Sequence, residues 1–203
     1  MISLLVGLGN IGERYAGTRH NVGFDILDRV AASLNAPTPR QADLYAWSAA
    51  EVDGRRVLMA WPSTLMNRSG RAFAALLERH QLAPDECLVI VDDFNLPLGS
   101  LRFRPRGSDG GHNGLASIID HLQSEDFPRL RIGIGPLVDN QTVTEFVLGR
   151  FEPSEIELAR ETVAVAAEAT EYALSHRLEE AMSRYNRTNS TTNSNVSSES
   201  NSD

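Results

Sequence analysis

Short apolar runs alternate with longer amphipathic stretches along the chain. Residues 2–8, ISLLVGL, are apolar and end in the glycine-rich stretch that follows, which predicts a central strand. In residues 21–34, NVGFDILDRVAASL, the side chains Phe24, Ile26, Leu27, Val30, Ala31 and Leu34 recur at spacings of three and four, so this segment predicts a helix. LYAWSAAEV and RVLMAW flank Asp53-Gly54, a dipeptide suited to a tight hairpin turn. Helical spacing returns from Asn67 to His80, with Ala74, Leu76 and Leu77 expected inward. The continuous apolarity of ECLVIV, residues 86–91, predicts a strand covered on both faces. Strand-like SLRFRPR, helix-like LASIIDHL and strand-like LRIGIG follow, and Ser154 to Asn186 reads as one long helix or two consecutive ones. Strands interleaved with helices in this way predict a single α/β domain over residues 1–187: a twisted, mixed and partly parallel β-sheet flanked by helices. Residues 188–203 hold six Ser, four Asn and three Thr with Val196 as the single apolar member, the composition of a disordered tail.

Composition narrows the chemistry. With 203 residues, 41% of them hydrophobic and 23% charged, the chain can bury a substantial core. Its single cysteine, Cys87, excludes an internal disulfide framework and any CxxC site, which leaves a reducing cytoplasm as the simplest compartment; the residue itself reads as a small buried apolar group. No apolar stretch approaches the roughly 18 residues of a spanning helix, so neither a membrane anchor nor a signal peptide is expected. All 19 basic residues are arginine. Lysine Schiff bases, the P-loop lysine and the Ser-Lys dyad are therefore excluded. A formal net charge of −8 argues against indiscriminate coating of nucleic acid, although a local arginine cluster can still bind a few phosphates.

Gly7-Leu8-Gly9-Asn10-Ile11-Gly12 fits GxGxxG after a strand, the pattern of a dinucleotide site. The next residues, ERYAGTRHN, read as loop rather than as the helix that would receive a pyrophosphate, and the acidic residue expected about 20 positions on would be Asp25 or Asp28, inside the predicted helix. Polar residues gather at other element ends. His20-Asn21 opens a helix; by position alone His20 reads first as a capping or surface histidine and second as a general base. Asn67, after Thr64-Leu65-Met66, is either an N-cap or a ligand for a substrate amide. Asp92 and Asp93 end the ECLVIV strand, where a carboxylate can orient an imidazole or be an ordinary loop acid. Gly110-Gly111-His112-Asn113-Gly114 is a tight turn before a helix that lets backbone and Asn113 approach a ligand. GxSxG, HExxH and HxE with cysteines are absent, so a serine hydrolase or zinc enzyme has no direct support.

Taken together, VGLGN (6–10), YAGTRHNVG (15–23), PSTLMNRSG (62–70), VDDFNLPLG (91–99), GSDGGHNGL (107–115) and FPRLRIGIG (127–135) resemble the bacterial-type peptidyl-tRNA hydrolase family, in order, from about residue 2 to 186. The resemblance implies a monomeric, cytoplasmic esterase without metal or other cofactor. Its partner would be peptidyl-tRNA, whose bond between peptide and terminal ribose it cuts. By motif position, His20 corresponds to the catalytic base and Asp92 to its supporting carboxylate. Asn10 corresponds to the residue that separates blocked from free aminoacyl-tRNA, and Asn113 and Asn67 to those holding the peptide backbone and tRNA end. Tyr15, Leu65 and Met66 correspond to lining positions, and Arg102, Arg104 and Arg131 to the clamp for the tRNA 5′ phosphate. Residues 102 and 104 alternate on a strand and so project from one face, which makes a shared phosphate site geometrically possible; the lesser alternative for the three arginines is solvent exposure on an edge strand.

Five positions depart from the family pattern. Ile11 stands where proline is usual, Leu65 where phenylalanine is common, Asn95 in place of the second aspartate of DxxDLP, Ala116 in place of lysine, and Pro136 where arginine is frequent. None removes the base or its carboxylate. Two other readings remain: a non-catalytic RNA-binding member of the same fold, like plant organelle splicing factors, and a nicotinamide-dependent dehydrogenase. Retention of His20, Asp92, Asn10 and Asn113 favours the hydrolase, because binding alone needs no base paired with a carboxylate.

Overall fold

The computed structural model describes residues 1–137 and 140–186. The strands are β1 (Leu4–Gly7), β2 (Arg40–Gln41), β3 (Tyr45–Val52), β4 (Arg55–Pro62), β5 (Cys87–Pro97), β6 (Leu101–Arg104) and β7 (Arg129–Gly135). The helices are α1 (Val22–Ser33), α2 (Ser69–His80), α3 (Asn113–Leu122), α4 (Val143–Leu148), α5 (Ile156–Ser175) and α6 (Leu178–Tyr185). Seven strands form one sheet in the order β2-β3-β4-β1-β5-β7-β6. β4, β1, β5 and β7 run parallel at its centre, and the antiparallel strands β2, β3 and β6 close its edges. The expected single α/β body with a mixed sheet is therefore the fold observed.

Period-two alternation on the central strands sorts the core into two layers. Leu5, Leu88 and Ile90 face α1 and α5, where Ile26, Leu27, Val30, Ala166 and Ala173 meet them. Leu4, Val6, Val89 and Val91 face the other way, against Phe73 and Leu76 of α2 and Leu115 and Ile118 of α3. Both faces of β1 and β5 are thus covered, as their unbroken apolar runs require. Cys87 is fully buried in the second layer, and burial together with Glu86 and Asp85 pushes its thiol far above the ordinary range, so it packs as an apolar group.

Several elements differ from the sequence expectation. β5 continues beyond ECLVIV to Pro97, so Asp92 and Asp93 are buried strand residues rather than loop acids. Pairing with β7 carries them there, Asp92 opposite Ile132 and Asp93 opposite Gly133. Asn67 does not cap α2: it sits in the 3-10 turn Met66–Arg68, the cap position falls on Arg68, and Asn67 is exposed. Ala72, Phe73 and Leu76 form the buried stripe of that helix, with Ala74 and Leu77 only half-buried at its margin. Of the two readings left open for the segment from Ser154, two consecutive helices is the one found, with the break at His176 where the backbone becomes extended. β2 and α4 are too short for periodicity to reveal. The tail expected over 188–203 lies outside the described residues.

No α-helix opens on Gly7–Gly12; Gly12 leads into the 3-10 turn Glu13–Tyr15, and the first α-helix begins at Val22. The dinucleotide reading loses its anion site. The glycines serve packing instead. A Cβ on Gly23 would lie 2.5 Å from the Leu8 carbonyl oxygen and 2.6 Å from that of Ile90, so α1 rests directly on the backbone just past β1 and within β5. Gly23→Ala should lift α1 and lower stability by about 1–3 kcal/mol, as overpacking does. A urea melt should show a lower midpoint with the same slope; an unchanged midpoint contradicts this account of the helix seat.

Candidate active site

Beyond the end of β1, midway along β5 and at the start of α3, a buried carboxylate sits between two imidazoles. Asp92 on β5 is 2% exposed. His20 Nδ1 lies 2.9 Å from its Oδ1 and 3.0 Å from its Oδ2, and His112 Nε2 lies 3.0 Å from Oδ1. The chain itself decides the tautomers. His112 is the N-cap of α3, and its Nδ1 accepts the backbone N–H groups of Gly114 at 3.1 Å and Leu115 at 3.2 Å. An accepting Nδ1 holds a lone pair, so the His112 proton is on Nε2 and is donated to Asp92. His20 donates its own Nδ1 proton to the same carboxylate, which leaves its Nε2 lone pair for the cleft. Burial alone would raise the Asp92 carboxyl, but His112 and His20, by charge and by hydrogen bond, outweigh it and hold the group well below the usual carboxylate range.

His20, Asp92 and His112 also bring three metal-type ligand atoms within 4.8 Å of one another. The residues do not suit a metal. His112 Nε2 carries a proton because Nδ1 is taken by the two backbone donors, so it has no lone pair to give.

Asn10, at the end of β1, is held from three sides. Asn21 Oδ1 accepts its backbone N–H at 2.8 Å, and Asn21 Nδ2 donates to its carbonyl at 3.0 Å. Asn10 Oδ1 accepts the Met66 N–H at 2.9 Å, which fixes the amide with its NH2 group free to donate. The turn Arg19–Asn21 is clamped by Arg19, whose buried guanidinium pairs with Glu155 at 2.6 and 3.2 Å and lies 4.5 and 4.7 Å from the ring centres of Phe146 and Phe151. Thr18 bridges Arg150, and the Arg19 N–H bonds the Gly149 carbonyl, so the segment entering α5 fixes the position of His20.

These groups open into a cleft of about 230 Å³. Asn10, His20, Asp92, Asn67 and Asn113 supply its polar surface, with Asn113 exposed at the first position of α3. Tyr15, Leu65, Met66 and Phe94 supply apolar lining, as do Val143, Val147 and Leu148 of α4. His20, Asp92, Asn10, Asn113, Tyr15, Leu65, Met66 and Asn67 thus meet in one place. Sequence reading missed His112, whose role as a cap was hidden inside a motif read for its glycines, and α4, which is only six residues long.

Arg102, Arg104 and Arg131 stand apart, at the β6–β7 edge. Arg102 pairs with Arg131 across the strands and Arg104 with Arg129, so all four project from one face. Arg102 is half-buried and Arg104 exposed, and neither meets a carboxylate among the described residues. Arg131 is partly committed, its Nε donating to Asp93 Oδ2 at 2.9 Å. Asn95 bridges Asp93 and the Gly110 carbonyl through its Nδ2, both at 3.3 Å, a pair of donations that an aspartate there could not make. Arg129 is wholly buried and donates to the carbonyls of Gly107, Ser108, Glu125 and Phe127, tying down the loop before α3; burial, with Arg131 nearby, brings its guanidinium down to about 10.

A free imidazole nitrogen backed by a buried carboxylate, with amide donors beside it in an open cleft, is the apparatus of a hydrolase that activates water by general base. Comparison with known proteins narrows the class. The family model for peptidyl-tRNA hydrolase matches residues 4–194. The chain is 40% identical to the peptidyl-tRNA hydrolase of Halalkalibacterium halodurans over 185 residues, covering 91% of this chain and all of that protein. It is 45% identical to that of Synechococcus elongatus over 192 residues, covering 91% and 92%. The solved peptidyl-tRNA hydrolase of Acinetobacter baumannii superposes with a TM-score of 0.86 at 33% identity, covering 92% of this chain and 95% of its own. The chain belongs to the peptidyl-tRNA hydrolase family.

Asp92→Asn tests the tautomer chain. Locked His112 would keep the one remaining oxygen, so the amide NH2 would face His20 and force its proton onto Nε2. On an N-blocked aminoacyl-tRNA, kcat should fall by about 10²–10⁴ with little change in KM; a loss under ten-fold contradicts it. A carboxyl depressed in the folded state stabilises the fold above its unfolded value of about 3.9, and that contribution is lost as pH falls from there through the lower folded value. The variant should therefore lose less stability than the parent between about pH 5 and 2.

Proposed function

We propose that the chain hydrolyses the ester between a peptide, or an N-blocked aminoacyl group, and the terminal ribose of tRNA, returning tRNA from peptidyl-tRNA released in translation. His20 Nε2 takes a proton from water as the oxygen attacks the ester carbonyl, and Asp92 supports the imidazolium that forms. The tetrahedral intermediate collapses with cleavage of the bond to the ribose oxygen, which receives the proton back from His20. Water thus delivers hydroxide to the acyl group and a proton to the sugar. No covalent enzyme intermediate or cofactor is needed, because an ester is activated enough for water and a base.

Asn10 and Asn113 donate to the peptide amide carbonyl or to the developing oxyanion. A free aminoacyl group has no such amide and carries an ammonium instead, which is the basis for sparing it. Asn67 holds the tRNA end, and the apolar wall with Tyr15, Leu65 and Met66 receives the acyl side chain. Arg102, Arg104 and Arg131 take the 5′ phosphate, bidentate arginine serving where lysine is common. The reading needs no group from a second copy, in keeping with a monomer, and a substrate released in translation fits a cytoplasmic enzyme. The observation that carries this reading is the bonding of His20 Nδ1 to both Asp92 oxygens with Nε2 left for a cleft that Asn10 and Asn113 also line.

Purified protein with a chelator and no added cofactor should release the acyl group from N-blocked aminoacyl-tRNA and spare the unblocked form. His20→Ala should lower kcat by about 10²–10⁴ while retaining affinity for deacylated tRNA. Undiminished turnover by that variant would sink the mechanism, and tRNA binding without any release by the parent would move the chain to the RNA-binding class.

A further inference from the structure

A second group of cations lies away from the cleft, along the outer edge of the sheet. Arg40 of β2 stands opposite Trp47 of β3, and Trp47 stands opposite Ala60 of β4. Arg56, four residues before Ala60 on the same strand, shares that face. The guanidinium carbons of Arg40 and Arg56 lie 5.7 and 5.8 Å from the indole centre. His80, the last residue of α2, meets the same indole edge-on at 5.9 Å. Arg40, Trp47 and Arg56, with Thr38 and Ser48, border a cavity of about 120 Å³.

This cluster has no counter-charge of its own. Arg40 and Arg56 are exposed, and neither lies within ion-pair distance of a carboxylate among the described residues, although the chain carries 27 acidic side chains. Glu51 is the register partner of Arg56 and still does not pair with it. His80 Nε2 is buried without a hydrogen-bond partner. Burial, and then the charges of Arg79 and Arg56, hold His80 below the ordinary histidine range, so the local field is positive before any proton is added there. Arg79 lies at the C-terminal end of α2, where it also complements the helix carbonyls. Arg40 and Arg56 are left with donors to spare, each within cation–π distance of the one indole.

Position supplies the ligand. α2 starts at Ser69 beside the cleft and carries His80 away by about 18 Å at 1.5 Å per residue. A polyanion tens of ångströms long that enters the cleft by one end has a body of that reach, and the unpaired cations at this edge are complementary to its charge. We propose that Arg40 and Arg56, on the Trp47 platform, form a second RNA-backbone site that holds a phosphodiester of the tRNA body while the acceptor end occupies the cleft. The inference rests on the tRNA substrate argued above. It also explains how an acidic chain retains its substrate, since the β6–β7 arginines would otherwise bear that load alone.

The test uses the full chain, a double Arg40→Ala/Arg56→Ala variant and its Arg→Lys counterpart, with deacylated tRNA as the binding probe. The alanine pair should bind about ten-fold more weakly and show a salt slope shallower by about 2. KM for full-length N-blocked aminoacyl-tRNA should rise in step with kcat unchanged, while turnover of a short N-blocked aminoacyl oligonucleotide ending in CCA stays the same. The lysine pair should recover the salt slope. Unaltered tRNA affinity and slope, or equal loss on the long and short substrates, would overturn the site. Should the parent bind tRNA and hydrolyse neither substrate, the esterase reading fails, and affinity and slope alone decide the site.

Discussion

Two backbone N–H groups at the start of α3 govern the chemistry of this molecule. Every helix leaves such donors unsatisfied, and the usual partner is a serine or aspartate oxygen. Here the acceptor is the Nδ1 of His112, so a matter of helix capping becomes a matter of protonation. With Nδ1 occupied, Nε2 must carry the proton and give it to Asp92, and Asp92 stays an acceptor for His20. The free Nε2 of His20 is the last link. Each bond is ordinary in strength, but the sequence of donors and acceptors admits one arrangement, which is how a polar network specifies more than its summed energy.

The packing serves this network. Gly23 lets α1 rest on the backbone just past β1 and within β5, which brings the turn before it, and hence His20, against β5. Arg19 fixes the other side of that turn through Glu155 and two aromatic rings. An isolated buried guanidinium would be destabilising, so its carboxylate and its ring faces are structural requirements. Asp93, next to Asp92, ties Arg131 to the same strand, and Asn95 ties Asp93 to the loop that leads to His112. Of the departures from the family pattern, Asn95 thereby has a clear structural use. Ile11 and Leu65 are exposed apolar residues on the loops around the cleft mouth, and Ala116 is exposed on α3.

Much of this was legible in the chain because burial writes itself as periodicity. The central strands, α1, the hairpin about Asp53-Gly54 and the long C-terminal helices all announce themselves by apolar spacing. The gathering of His20, Asp92, Asn10 and Asn113 was legible only through the family motifs, since no spacing along the chain brings residues 10, 20, 92 and 113 together. His112 escaped notice because its two roles, cap and carboxylate donor, are set by partners 2 and 20 residues away. The extension of β5 past its apolar run was hidden for a related reason: Asp92 and Asp93 are polar residues held in a strand by tertiary pairing and satisfied by His and Arg. The chain has 5 histidines, and pattern alone does not separate the three that meet no carboxylate from the two that do.

The most direct measurement is of those protons. Long-range 15N–1H correlation spectra of the imidazoles at neutral pH report which ring nitrogen of each histidine is protonated. The account predicts opposite tautomers for the central pair, with the proton on Nε2 in His112 and on Nδ1 in His20. A proton on Nδ1 of His112, or on Nε2 of neutral His20, would break the chain of donors and contradict the mechanism at its first step.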